Sequence, residues 1–161
     1  MADPAVVNAS PLILLTAAGM IDLLKLAGHP LLVPRAVVHE IEAYGAADAT
    51  APALRQSDWL TIVEAQPVSS IIENCDLGPG ESSVLAWAHS HFGTVAVLDD
   101  LPARRCADFL GIPTRGTLGL VLIAKQRGVI VEARPVCERL RHSGMWLSDA
   151  VMNRALNMVG E

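Results

Sequence analysis

Three short runs, Ala5-Val6-Val7, Leu31-Leu32-Val33 and the stretch from Thr94 to Leu98, are apolar without polar alternation. Each ends at a polar residue or a proline, and a helix start follows. A strand with one wet face alternates apolar and polar side chains. An unbroken run of three to five Val, Leu and Ala residues belongs to a strand covered on both faces, the pattern of a parallel sheet. Helices must then link one strand to the next. The expected fold is therefore α/β: a small parallel sheet flanked by helices on both faces.

The rest of the chain supports this rhythm. Ser10-Pro11 reads as an N-cap followed by a first helical residue. That helix runs to about Gly19, and a second covers Ile21 to Ala27. Pro34 opens a helix with Val37, Ile41 and Tyr44 on one face. Gly45 to Pro52 reads as a loop, with a short helix around Leu54 and a strand from Trp59 beyond it. Val68 to Asp76 is ambiguous between helix and strand. Helices are expected from about Pro79 to His91, Leu101 to Leu110, Leu118 to Arg127, Val136 to His142 and Ser148 to Met158. Thr114 to Gly116 reads as a short strand or turn. The 161 residues suit one domain, 1–161, with a core over about 5–128 and a helical extension over about 129–161.

Composition excludes several classes. At 52% hydrophobic and 18% charged, the chain has ample material for a core and is not disordered. A net charge of −5 is not that of a protein that coats nucleic acid by bulk charge. Any contact with RNA or DNA must use a local basic patch or bound cations. Cys75, Cys106 and Cys137 have no C-x-x-C spacing and read as separate reduced thiols in a cytoplasmic protein. The start, MADPAVVNAS, lacks the basic region of a signal peptide. The apolar stretch from Pro11 to Pro34 is interrupted by Asp22, Lys25 and His29, whereas a membrane span needs about 20 nearly uninterrupted apolar residues.

In sheets of this kind ligands bind beyond the carboxyl ends of the strands. The polar residues expected there are Asn8 and Ser10 after the first run, and Asp99 and Asp100 in "AVLDDLPARR". Glu81 lies in the first turn of the helix behind "GPG", and Glu40 borders the apolar face of the helix that follows Pro34. Each acid has a structural explanation by itself. Asp100 before Leu101-Pro102 is a good helix cap, and Glu81 suits a helix dipole. One cap suffices, however, which leaves Asp99 unexplained at the end of a buried run. Clustered carboxylates raise one another's pKa unless a cation lies between them. All-oxygen donors select a hard divalent ion, Mg²⁺ or Mn²⁺. Arg104, Arg105 and Arg115 lie near these acids in sequence and are candidates for holding phosphates. The histidines lack an H-E-x-x-H arrangement, so zinc is not expected. "GPGESS" lacks the Gly-Lys-Ser/Thr of a nucleotide-binding loop, and no G-x-S-x-G marks a covalent nucleophile.

In order along the chain, "VVNASPLILL", "VPRAVVHEIE", "DLGPGESSVLAWA", "VLDDLPARRCADFLGI" and "TRGTLGLVLIAKQRGVI" resemble the PIN-domain superfamily. The set looks most like a prokaryotic branch related to the VapC toxins. The resemblance implies a Mg²⁺- or Mn²⁺-dependent ribonuclease, often a toxin held by an antitoxin protein. It implies catalytic roles for Glu40, Glu81 and Asp99, with Asp100 as an extra metal ligand and Ser10 and Thr117 in the pocket. The family's D-x-S/T/N motif reads Asn8-Ala9-Ser10 here, so an amide stands where the first acid is expected. An amide oxygen still ligates a hard cation but brings no charge.

The alternative is a catalytically degenerate PIN-like module that binds RNA or a protein partner. A receiver-type ligand domain accommodates the strand-end acids but not the two helices after the first strand. The tail carries Met145, Trp146 and Met152, which read either as core or as a homodimer or antitoxin surface.

Overall fold

The computed structural model describes residues 2–45 and 47–161. Met1 of the N-terminal stretch and Ala46 of the expected 45–52 loop lie outside the described residues. Among the described residues five strands form one wholly parallel sheet: β1 (Ala5–Val7), β2 (Leu31–Pro34), β3 (Leu60–Val63), β4 (Val95–Val97) and β5 (Thr114–Arg115). Their spatial order is β3-β2-β1-β4-β5. The chain steps outward from β1 through β2 to β3, then returns to the other side of β1 for β4 and β5. β1 and β4 are paired in register, Val7 opposite Val97. Their carboxyl ends thus flank the topological switch point, where a doubly wound sheet opens a crevice.

The strands are short because little apolar sequence separates one helix start from the next. β1, β2 and β4 are buried at every residue, as their unalternated sequence requires. Among the described residues ten helical segments join and cover them. They are α1 (Ala9–Ala17), a 3-10 segment (Ile21–Leu26), α2 (Arg35–Glu42), α3 (Thr50–Gln56), α4 (Ser70–Asn74), α5 (Pro79–Ser90), α6 (Leu101–Phe109), α7 (Thr117–Gln126), α8 (Ala133–His142) and α9 (Asp149–Asn157). The ambiguous Val68–Asp76 stretch thus holds α4, and α3 takes over the end of the expected loop. α5 crosses β1, β2 and β4, while α7 packs against α1, the 3-10 segment, α8 and α9. Val136, Leu140, Met152 and Leu156 of the last two helices are buried in the same cluster as Val6, Val97 and Leu120. Met152 is therefore core and not a docking residue, whereas Trp146 is exposed. No helix is long and apolar enough to cross a membrane among the described residues.

Two expectations change. α1 begins at Ala9 with Asn8 at the N-cap, so Ser10 is inside the helix rather than capping it. Pro11 at the third helical position is tolerated because the N–H it lacks would find no partner within the helix. The hydroxyl of Ser10 is thereby released for another bond. The cysteines are also not all separate thiols. Cys75, at the end of α4, and Cys106, on α6, are disulfide-bonded, with their Cα atoms 6.3 Å apart. α5 packs against both α4 and α6 and brings together residues whose spacing of 31 carries no signature. Cys137 is free and buried, and burial pushes its thiol pKa up.

The last residue fastens the tail. Glu161 accepts the backbone N–H groups of Ala133 (2.6 Å) and Arg134 (3.0 Å) at the open start of α8, and Lys125 Nζ lies 3.5 Å away. These N–H donors hold its carboxyl below the ordinary range. A carboxyl pKa lowered by folding contributes stability above the unfolded value, and that stability is lost as pH falls through the folded value. Glu161→Gln is therefore expected to lower the melting temperature at neutral pH. The difference from wild type should close on acidification, which thermal melts across the acid range would show.

Candidate active site

The switch point gathers side chains from five elements. Asn8 follows β1, Asp99 follows β4, Glu40 stands on α2, Glu81 on the first turn of α5, and Thr117 opens α7. Local sequence explains each placement. Gly78 and Pro79 start α5 so that Glu81 meets its positive end. Val37, Val38 and Ile41 bury one stripe of α2 and leave Glu40 at its border. Asp100 is the N-cap of α6, accepting the N–H of Ala103 at 3.1 Å, so the two adjacent acids divide into one cap and one pocket residue.

Asp99 is the most tightly held. Its Oδ1 accepts the backbone N–H of Thr117 at 2.7 Å, and its Oδ2 accepts Thr117 Oγ1 at 2.7 Å and Ser10 Oγ at 3.2 Å. The Thr117 N–H is one of the unpaired donors at the start of α7, where the helix dipole also favours a negative charge. Asn8 is 3% exposed. Its Nδ2 donates to Glu81 Oε1 at 3.4 Å, while its Oδ1 is buried with no hydrogen-bond partner among the described residues. A neutral amide there removes the repulsion that a carboxylate would suffer from Glu81.

Gly80 makes room for this arrangement. A Cβ at Gly80 would lie 2.3 Å from Glu40 Oε2 and 3.1 Å from Asn8 Oδ1, so the notch left by glycine lets those two oxygens approach. Glu40 is exposed as a residue, but the desolvation its carboxyl suffers in the pocket, with the charge of Glu81, pushes its pKa up. Its ionised form opposes folding above the unfolded pKa, and protonation relieves this as pH falls through the raised folded value. Gly116 does for the other side what Gly80 does here: its missing Cβ would lie 2.6 Å from Arg104 Nη1 and 3.3 Å from Asp99 Oδ1.

Two depressions meet at these residues. A groove of about 1000 Å³ is lined by Asn8, Ser10, Glu81, Asp99, Asp100 and Arg104, and also by Met145, Trp146, Arg154 and Met158. A smaller hollow of about 290 Å³ holds Glu40 and Tyr44 and shares Asn8, Ser10 and Glu81 with the groove. Arg104, which donates to Leu98 O at 3.3 Å, reaches the groove; Arg105 and Arg115 are exposed and do not line it. Trp146 and Arg154 were not expected there. They are contributed by the segment after α8 and by α9, and no local pattern announces how those elements pack.

The oxygen donors around Asn8 test what the site can hold. Among the described residues no three His, Cys, Asp or Glu side chains converge on a single point suited to a metal ion. The bare, buried oxygen of Asn8 in the Gly80 notch is a further oxygen donor beside the site's carboxylates. Asn8 Oδ1 with the carboxylates of Glu40 and Glu81 suits a hard cation that keeps several of its own waters.

The family model DUF3368, described as a PIN domain, matches residues 4–161. The chain belongs to the PIN-domain family. Its structure is also similar to that of a PilT N-terminus domain protein from the hyperthermophilic archaeon Sulfolobus solfataricus P2, with a TM-score of 0.45 and 13% identity over 90% of this chain and 97% of that one. No curated protein matches the chain. The five-stranded parallel sheet flanked by helices is the fold expected of a PIN domain.

Gly80→Ala separates stability from the site. Ala fits the helical backbone and favours it by up to about 1 kcal/mol over Gly. Its methyl group displaces the carboxyl end of the exposed Glu40 side chain and presses, at 3.1 Å, on Asn8 Oδ1. The melting temperature is expected to hold or rise; if the notch takes Mn²⁺, titration calorimetry should show affinity reduced about tenfold, the scale on which shifting the surroundings of a metal site acts.

Proposed function

We propose that this PIN-domain protein is a ribonuclease that hydrolyses RNA phosphodiesters with the help of Mg²⁺ or Mn²⁺. The observation that carries the reading is the unpartnered, buried oxygen of Asn8, set in a glycine notch against Glu40 and beside Glu81. A buried polar atom without a partner costs stability, and a hard cation at that point would satisfy it. Asn8, Glu40 and Glu81 would hold the ion, and Asp99 lines the same groove as Asn8 and Glu81. When bound, the ion supplies charge screening at the phosphate and acidifies the attacking water.

The chain's own residues do the remainder. Thr117 and Ser10 fix Asp99 through three hydrogen bonds, so its carboxylate meets a substrate without reorganising. Asn8 orients Glu81 through its amide nitrogen. Arg104 lines the groove beside Asp99 and presents guanidinium hydrogens to a non-bridging phosphate oxygen. No covalent intermediate with the protein is required. The same proposal places the protein in the cytoplasm as a VapC-like toxin restrained by an antitoxin protein.

The test is cleavage of a labelled mixed RNA pool by purified protein in Mn²⁺, Mg²⁺ and EDTA, with Asp99→Asn prepared identically. Cleavage that needs the metal and is lost in the variant supports the reading. Cleavage shared by both proteins reveals a contaminant, and none by either leaves a binding module. The toxin role is supported if induced wild-type protein arrests growth and Asp99→Asn does not.

A further inference from the structure

The groove that carries the acids has a second chemistry in its lining. Trp146 is 88% exposed, between α8 and α9, and is one of the residues that line the groove. Arg154, exposed on α9, lines it too, and makes no ion pair among the described residues. Arg104 lines the same groove. A large aromatic side chain left in water is unfavourable unless something covers it. Two guanidinium groups in the same groove of an acidic protein favour an anion. A plain anion has no use for the indole, and an apolar partner has no use for the arginines. An unpaired nucleotide offers both a phosphate and a flat π face.

Resting on the nuclease reading, we propose that Trp146 and Arg154 form a subsite for one unpaired nucleotide of the RNA next to the cleavage site. Trp146 stacks on the base, while Arg154, with Arg104, takes the phosphates. The subsite is selective for single strands, because paired bases are stacked on one another and cannot offer a face to the indole. It tolerates any base, since every base has a π face. The C-terminal segment thereby supplies specificity, while the sheet ends supply the chemistry.

The experiment measures binding without cleavage. Fluorescence anisotropy in EDTA would compare a labelled single-stranded oligoribonucleotide, its duplex, and an abasic strand of equal charge. Wild type should prefer the base-bearing single strand. Trp146→Ala should weaken that strand by about tenfold or more and leave the abasic strand unchanged, with Trp146→Phe restoring most of the loss. Arg154→Gln should weaken both strands and lower the slope of log affinity against log salt by about one. Because Trp146 and Arg154 are exposed, melting temperatures should match wild type. Equal affinity of wild type and Trp146→Ala for the base-bearing strand overturns the subsite. So does light scattering that finds a dimer of wild type turned to monomer by Trp146→Ala, which would assign the indole to a second copy. A chain that shows the binding pattern but cleaves nothing keeps the subsite and loses the nuclease reading.

Discussion

Asp99→Asn is expected to lower metal-dependent RNA cleavage by about a hundredfold or more, the scale of the several kcal/mol that a cation and its anionic surroundings contribute at a phosphate. Stability should change little. The asparagine oxygen can keep the 2.7 Å bond from the Thr117 backbone N–H. Its amide hydrogens then face Thr117 Oγ1 and Ser10 Oγ, which donate to Asp99 in the wild type. Hydroxyls rotate and accept as readily as they donate, so both contacts survive with their direction reversed. What is lost is a negative charge at the start of α7, worth roughly 0.3–1 kcal/mol. In a chain of this size about 1 kcal/mol moves the melting temperature by a few degrees. A large activity loss with a small thermal shift assigns Asp99 to the chemistry. A collapse in melting temperature, with residual activity tracking the folded fraction, assigns it to the architecture.

Much of this geometry is legible in the residues themselves. Short buried runs without alternation, each followed by a helix start, fit parallel strands, and the polar residues that stop the first and the fourth, Asn8 and Asp99, fall at strand ends for the same reason. The division of labour between Asp99 and Asp100 follows from one cap being enough for one helix. Other features depend on register and distant packing. Reading Pro11 as the first helical residue makes Ser10 a cap; α1 instead starts two residues earlier, and Ser10 becomes a donor to Asp99. Arg104 and Arg105 look equivalent in sequence, but successive helical residues diverge by about 100°, and only Arg104 reaches the groove. The Cys75–Cys106 pairing and the arrival of Trp146 and Arg154 beside the acids are products of how helices meet, and residues that meet this way share no local pattern.

Asn8→Asp is expected to invert the energetics of the pocket. In the wild type the Asn8 amide donates to Glu81 and leaves one oxygen free. A carboxylate in its place loses that donor and sets like charges against Glu81, where the wild-type contact spans 3.4 Å. Two unit charges at about 4 Å interact by roughly 4 kcal/mol at an effective dielectric near 20, and partial protonation and water relieve part of that. In EDTA the variant should therefore melt below wild type. A bound divalent ion reverses the sign, since the same added charge now faces a cation. Mn²⁺ affinity should rise at least tenfold, about 1.4 kcal/mol, and Mn²⁺ should raise the melting temperature of the variant more than that of wild type. If the site is catalytic, cleavage at limiting Mn²⁺ should rise with occupancy, and at saturating Mn²⁺ the two proteins should converge. An activity gain that persists at saturation would mean that the missing charge acts on the reacting phosphate and not on the ion. A variant that melts low in EDTA and gains nothing from Mn²⁺ would remove the cation from the account and leave Asn8 as the neutral bridge that lets Glu40 and Glu81 share one pocket.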